Sequence, residues 1–479
     1  MNVRFTRCLR LLALALIPAA AVRVCGAADD PVVVSSRPLH EGRISPMLFG
    51  NFIELLDDLV PGMRAEMLND RGFEGVVPAA RWVYYDGAPT FCDRVWEPSA
   101  DWSIEHAGGF TGPNCARISP RGGAPARLAQ AGLAVQKGAT YRFSAYLRGE
   151  PGARVRALLK TRRPDGDFDE LAVLELGVPS SRWARVEGLL AASGTSDLAV
   201  FELRVAGDGT VWADQISLQP AENADGWRLD VVEAIKASRP ALIRWGGSVV
   251  DPGAYRWKAG VGDRDLRVPF ANVNWGRIDS NDVGIAEFCR FCELTAARPL
   301  VCVSFSDGPT SAADLVEYCN GSKETTWGAR RAADGHAAPF HVKYWQLGNE
   351  LSGDDDTYVK KCRDFIASMK AVDPSIAILS SFPSQKVVEV LGKDLSHLAP
   401  HHYTRDLAAC EADFRKLATM IASTPERGRL RLAVTEWNFT GGDWGLGRGK
   451  MLTLEGALWN AQYLNLMCRY ANIVEIGCR

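Results

Sequence analysis

Val342-Lys343-Tyr344-Trp345-Gln346-Leu347-Gly348-Asn349-Glu350 is a short apolar run that stops on a glycine and two polar residues. A helical pattern over 356–371 follows it, and the same alternation recurs through the second half of the chain. Strand-like runs at 241–245, 300–305, 376–381, 398–401, 431–435 and 473–477 are separated by amphipathic stretches such as 227–238, 281–296 and 454–470, whose apolar residues recur at helical period. A further run at 47–53 brings the strands to eight. Eight strands alternating with helices predict an α/β fold, the (β/α)8 TIM barrel, in which polar groups at the C-terminal strand ends carry the chemistry.

Between the first run and the second the pattern changes. Segments such as Tyr141-Arg142-Phe143-Ser144-Ala145-Tyr146-Leu147 alternate apolar and polar residues between Gly, Pro and Asp turns, which predicts an inserted all-β, jelly-roll-like sandwich after strand one. The expected organisation is a signal peptide at 1–27, an N-terminal segment with the first barrel strand at 28–80, the inserted sandwich at 81–222, and the rest of the barrel at 223–479. The leader reading rests on Arg4, Arg7 and Arg10, the apolar run 11–22 and the small residues before Ala28-Asp29-Asp30, and it implies a secreted or periplasmic protein. At 11–22 the run is shorter than a membrane span needs. Hydrophobic residues make up 47% of the 479, charged residues 23%, and the net charge is −2; that balance fits a large core and argues against nucleic-acid or anionic-membrane partners. Of the twelve cysteines, Cys289 and Cys292 form a C-x-x-C inside a helical pattern, which points to buried thiols rather than a metal or redox pair. Because the last strand runs into Arg479, the chain is expected to be a truncated product or a barrel without its final helix.

Four strand ends carry reactive groups: Glu54, Asn349-Glu350, His401-His402-Tyr403 and Glu436-Trp437-Asn438. Two carboxyl groups on either side of a sugar can break a glycosidic bond, one protonating the departing oxygen while the other attacks the anomeric carbon. Retention of configuration needs them about 5 to 5.5 Å apart. The acid should have a raised pKa, which burial and the neighbouring charge of Glu436 would supply. No cluster has metal-ligand spacing, Gly246-Gly247 is no phosphate loop, and the nucleophile elbow of serine hydrolases is missing. Neither a metal nor a cofactor is therefore expected.

These strand ends resemble glycoside hydrolase family 51, best known for α-L-arabinofuranosidases. The matching stretches are Gly50-Asn51-Phe52-Ile53-Glu54, Ala65-Glu66-Met67-Leu68-Asn69-Asp70-Arg71-Gly72-Phe73-Glu74, Trp275 through Asn281 to Glu287-Phe288, Arg331-Ala332-Ala333-Asp334-Gly335-His336, and 342–350. Thr435-Glu436-Trp437-Asn438 with Gly442-Asp443-Trp444-Gly445 completes the set. The resemblance implies Glu350 as general acid/base and Glu436 as nucleophile, with Glu54, Asn349, His401, Tyr403, Trp437 and Asn281 on the sugar. It also implies an arabinose-containing polysaccharide or oligosaccharide as partner, and an insert like the carbohydrate-binding modules of plant-type members. Arg244-Trp245-Gly246-Gly247-Ser248-Val249 lacks the proline and the following Asn or Cys usual there, and the C-terminal β-sandwich of the family is missing. The implied activity is exo-acting removal of arabinofuranosyl side chains by double displacement. A β-glucan or xylan hydrolase is the alternative within the family, and a non-catalytic carbohydrate-binding protein the alternative if the barrel is incomplete.

Overall fold

The computed structural model describes residues 36–55, 59–75, 94–177, 179–250, 255–274, 277–351, 355–440 and 453–479. The expected leader at 1–27, Trp275 and the Gly442-Asp443-Trp444-Gly445 stretch lie outside the described residues. From Gly42 onward the chain forms one compact unit.

Its centre is an eight-stranded parallel sheet in chain order, Asn51–Glu54, Leu242–Gly246, Arg298–Val303, Tyr344–Leu347, Ala377–Ser380, His397–Leu398, Arg431–Val434 and Val474–Gly477. The sheet closes on itself. Gly50 N donates to Gly477 O at 2.9 Å and Arg479 N to Gly50 O at 3.1 Å, so the first strand pairs with the last. Glycine is required there, because a Cβ on Gly50 would lie 2.7 Å from Gly477 O. The fold is thus a (β/α)8 barrel. Helices Leu229–Ser238, Ile285–Thr295, Gly308–Asn320, Asp355–Val372, Leu407–Ala422 and Leu454–Arg469 pack outside it, burying faces that include Phe288, Phe291, Phe365, Phe414 and Tyr463.

Three boundaries depart from the sequence reading for identifiable reasons. Residues 46–49 form a 3-10 turn instead of opening the first strand: Pro46 fixes φ at the start, and Ser45 Oγ accepts from Met47 N at 3.1 Å. The helix expected from 281 begins at Ile285, because Asn281 sits at φ 57° and Gly284 N donates to Glu287 across the first turn. The strand expected over 398–401 is broken at Pro400, which has no N–H for the ladder. Beyond the break, His401–Tyr403 pairs in parallel with Glu436–Asn438 as a short two-stranded layer at the barrel mouth.

Between the first two barrel strands the chain forms two antiparallel sheets. One runs Trp102–Glu105, Cys115–Ile118, Val211–Pro220, Thr140–Gly149, Ala184–Ala191; the other Ala126–Val135, Ser196–Ala206, Arg154–Arg162, Phe168–Gly177. Their inner faces share a core that includes Phe143, Leu159, Phe201, Leu203 and Ile216. Buried contacts of the segment that leads into this insert tie it to both the insert and the barrel. Arg71 meets Asp282 at 3.1 Å and also Asp265, while Glu66 accepts from Leu218 N at 2.9 Å and pairs with Arg264 at 3.3 Å. The nine described cysteines are free thiols, with Cys289 and Cys292 buried as expected of structural residues. Among the described residues no helix is long and apolar enough to cross a membrane.

Candidate active site

The C-terminal ends of the strands bring Glu54, Asn349, Glu350, His401, Tyr403 and Glu436 to one mouth. Glu436 is 4% exposed. Its Oε1 accepts from Arg244 Nη1 at 2.7 Å and its Oε2 from Tyr403 Oη at 2.9 Å. Burial and the Glu436 charge hold the Tyr403 phenol well above its usual range, so it stays a donor. Pairing of His401 with Glu436 across the short mouth layer places the imidazole between the two carboxylates. His401 Nδ1 lies 2.9 Å from Glu350 Oε1 and 3.6 Å from Glu436 Oε2, and its Nε2 is 2.9 Å from Thr435 Oγ1. One donor atom from each of Glu350, His401 and Glu436 falls within 4.8 Å of the others. Such a trio could also hold a metal ion, a possibility hidden from sequence spacing because its members come from three strand ends.

Glu350 contradicts one expectation. Its carboxyl is held below the ordinary glutamate value, first by the His401 hydrogen bond, with burial opposing. Its side chain is 46% exposed, so burial is too weak to win. The residue also adopts φ 46°, a left-handed conformation that non-glycine residues take at a cost of about 1 to 3 kcal/mol. The raised carboxyl is Glu54 instead. Burial, then the Glu436 charge, pushes it up to about 8, against the hydrogen bond from Ser248 N at 2.7 Å. Gly247, at φ 97°, permits that approach, since a Cβ there would lie 2.3 Å from Glu54 Oε1.

The sign of the Glu54 effect is fixed by that shift. Folded protein retains a proton that the unfolded glutamate releases near 4.5, so this contribution is complete at lower pH and is lost as pH rises through about 8. Glu54→Gln is therefore expected to flatten stability against pH across that interval. Urea midpoints for wild type and variant should converge towards the acid end and separate towards the alkaline end, with the wild type falling; parallel curves would refute the assignment.

Two expected sugar contacts stand elsewhere. Trp437 is 2% exposed and stacks on Tyr463 with ring centroids 4.9 Å apart, facing the helix layer rather than the mouth. Strand alternation explains the error: the neighbour of an inward residue points outward. Asn281 is 3% exposed in the turn before its helix, where its side-chain amide donates to Val268 O at 2.6 Å.

Sequence reasoning assigned no role to Arg244. It is fully buried in the second strand, and besides Glu436 it donates through Nε to Gln346 Oε1 at 3.1 Å and through Nη2 to Asn349 Oδ1. A signal existed: Leu242-Ile243-Arg244-Trp245 places a lone cation within an apolar strand, which is tolerable only if something inside the barrel pairs with it. Thr435 and Gln346 were missed for the same reason.

A barrel whose mouth carries two carboxylates, one gripped by a buried arginine and a tyrosine, can be set beside known proteins. Residues 234–419 match the model of the alpha-L-arabinofuranosidase 1 domain. Probable alpha-L-arabinofuranosidase C of Aspergillus fumigatus is 33% identical over 168 residues, covering 33% of this chain and 33% of the relative. The extracellular exo-alpha-L-arabinofuranosidase of Streptomyces chartreusis is 26% identical over 420 residues, 78% of this chain and 48% of the relative. The chain therefore spans about a third to a half of the length of these curated relatives. An arabinose-bound family 51 α-L-arabinofuranosidase structure superposes with a TM-score of 0.71 at 19% identity, covering 92% of this chain and 75% of the other. That of Thermotoga petrophila gives 0.51 at 23% identity, over 54% and 59%. The chain has the family 51 arabinofuranosidase fold, a barrel with an added β region, and its family-level likeness is to glycoside hydrolases.

Proposed function

We propose that this chain is a retaining, exo-acting α-L-arabinofuranosidase that removes arabinofuranosyl side chains from plant-type polysaccharides. The observation that carries the reading is the pair of carboxylates, Glu350 and Glu436, with oxygens within 4.8 Å across one barrel mouth and with unequal surroundings. That approach suits direct attack, for which the carboxyl groups stand about 5 to 5.5 Å apart, better than the spacing of about 6.5 to 9.5 Å that an inverting enzyme leaves for a water.

In the first step Glu436 attacks the anomeric carbon as the glycosidic C–O bond breaks, and the departing oxygen takes a proton from Glu350. Arg244 and Tyr403 steady the negative charge on Glu436 until it is used in the new bond. A sugar seated over the mouth strips water from the half-exposed Glu350, which raises its proton affinity from the low resting value. In the second step the Glu436 charge is gone. Glu350 then removes a proton from water, water attacks the anomeric carbon, and Glu436 leaves as carboxylate. Glu54, carrying its proton, can donate to a sugar hydroxyl, and Asn349, fixed by Arg244, presents its free N–H groups. The leader-like residues 1–27 support action outside the cytoplasm.

The test is hydrolysis of aryl α-L-arabinofuranoside, β-xyloside and β-glucoside, with the first product anomer read by NMR. Turnover of the arabinofuranoside with retention is expected. Turnover of the β-glucoside alone would overturn the substrate, and an inverted product would remove the nucleophile role from Glu436.

A further inference from the structure

Gln346 lies in the middle of the fourth strand, fully buried between Trp345 and Leu347, two residues that are equally buried. A buried amide is costly unless its groups are bonded. Here Oε1 accepts from Arg244 Nε at 3.1 Å, and Nε2 donates to Gly348 O at 3.2 Å. Arg244 uses its remaining nitrogens on Glu436 and Asn349. One guanidinium and one amide therefore connect both sides of the mouth. On one side is Glu436; on the other is the turn Gly348-Asn349-Glu350, in which Gly348 has φ 71° and Glu350 φ 46°.

A guanidinium is planar, so bonding at Nε sets the direction in which Nη1 and Nη2 point. Glutamate at 346 would accept from Nε but repel the Gly348 carbonyl and compete with Glu436 for the cation. Methionine or leucine would leave Nε–H unpaired. Only an amide serves both neighbours. We infer that Gln346 is a positioning residue for the double displacement: it orients Arg244 so that Nη1 meets Glu436, and it pins the Gly348 carbonyl so that the strained turn holds Glu350 opposite.

This rests on the proposed function and is tested by a cycle of Gln346→Met, Arg244→Lys and the double variant on the aryl arabinofuranoside. Methionine is close in shape, so the fold should survive, as checked by thermal melting and circular dichroism. Gln346→Met should lower kcat ~100-fold, the loss that a misplacement of about 1 Å can bring, with KM changed less than kcat. Because Gln346 acts through Arg244, the double variant should be little worse than Arg244→Lys alone. Losses that multiply, a KM that rises as much as kcat falls, or near wild-type kcat in a folded Gln346→Met would overturn the inference while leaving the function standing. A wild-type chain without turnover would instead defeat the function and this inference together.

Discussion

Glu436→Ala is expected to lower turnover of an aryl α-L-arabinofuranoside on the order of 10⁴- to 10⁶-fold, the range for loss of a covalent nucleophile. With the carboxylate gone there is no bond to form at the anomeric carbon, and Arg244 and Tyr403 face an empty space. The alanine variant carries a second effect. Arg244 is fully buried, and removing its partner at 2.7 Å leaves a charge unmatched, a loss of about 3 to 5 kcal/mol for buried pairs. Glu436→Gln separates the two. It retains an acceptor for Nη1, so it should melt closer to wild type while losing as much activity. A glutamine variant within tenfold of wild-type kcat would show that the attacking group lies elsewhere.

Glu350→Ala should depend on the leaving group. A dinitrophenolate departs without a proton and its release should be nearly unaffected, whereas release of an alkyl alcohol should fall about 10²- to 10⁴-fold, the contribution of a positioned general acid. Pre-steady-state release of dinitrophenol followed by slow turnover is the expected signature, because the same residue must later activate water. Added azide, which needs no base, should restore turnover and yield a glycosyl azide. Equal losses on both substrates would contradict the acid role. The pH profile gives a further sign. The acid works protonated, and His401 holds Glu350 below the ordinary value, so the alkaline limb of kcat/KM for the free enzyme should lie on the acid side. His401→Ala removes the hydrogen bond at 2.9 Å and should shift that limb to higher pH; a shift to lower pH would contradict the stated cause.

The barrel was legible because apolar strands alternate with amphipathic helices, and the mouth because Glu54, Glu350, His401, Tyr403 and Glu436 each terminate or closely follow such a run. What could not be read follows from direction and depth. Trp437 was assigned to the sugar by adjacency to Glu436, yet adjacency along a strand implies opposite faces. Arg244 and Gln346 sit inside strands rather than at their ends, and their meaning depends on a pairing across 102 positions. The depressed Glu350 likewise depends on His401 arriving from a short layer beyond Pro400, a pairing created by tertiary register. Sequence shows which polar groups reach the mouth, whereas their protonation depends on which neighbours the fold supplies.

The closure of the barrel also has a history during synthesis. Gly50 waits for Gly477, about 430 positions further on, and at the usual 5 to 20 residues per second the ribosome needs roughly 20 to 90 s to deliver that partner. Throughout that interval one edge of the first strand has no final partner, while the inserted sandwich, complete by Pro220, can fold and hold the early segment, with Leu218 N donating to Glu66 and Ile216 N to the Arg71 carbonyl. An unpaired edge invites association with other chains. The insert would then serve the nascent protein as a tether that holds the segment after the opening strand until the last one arrives.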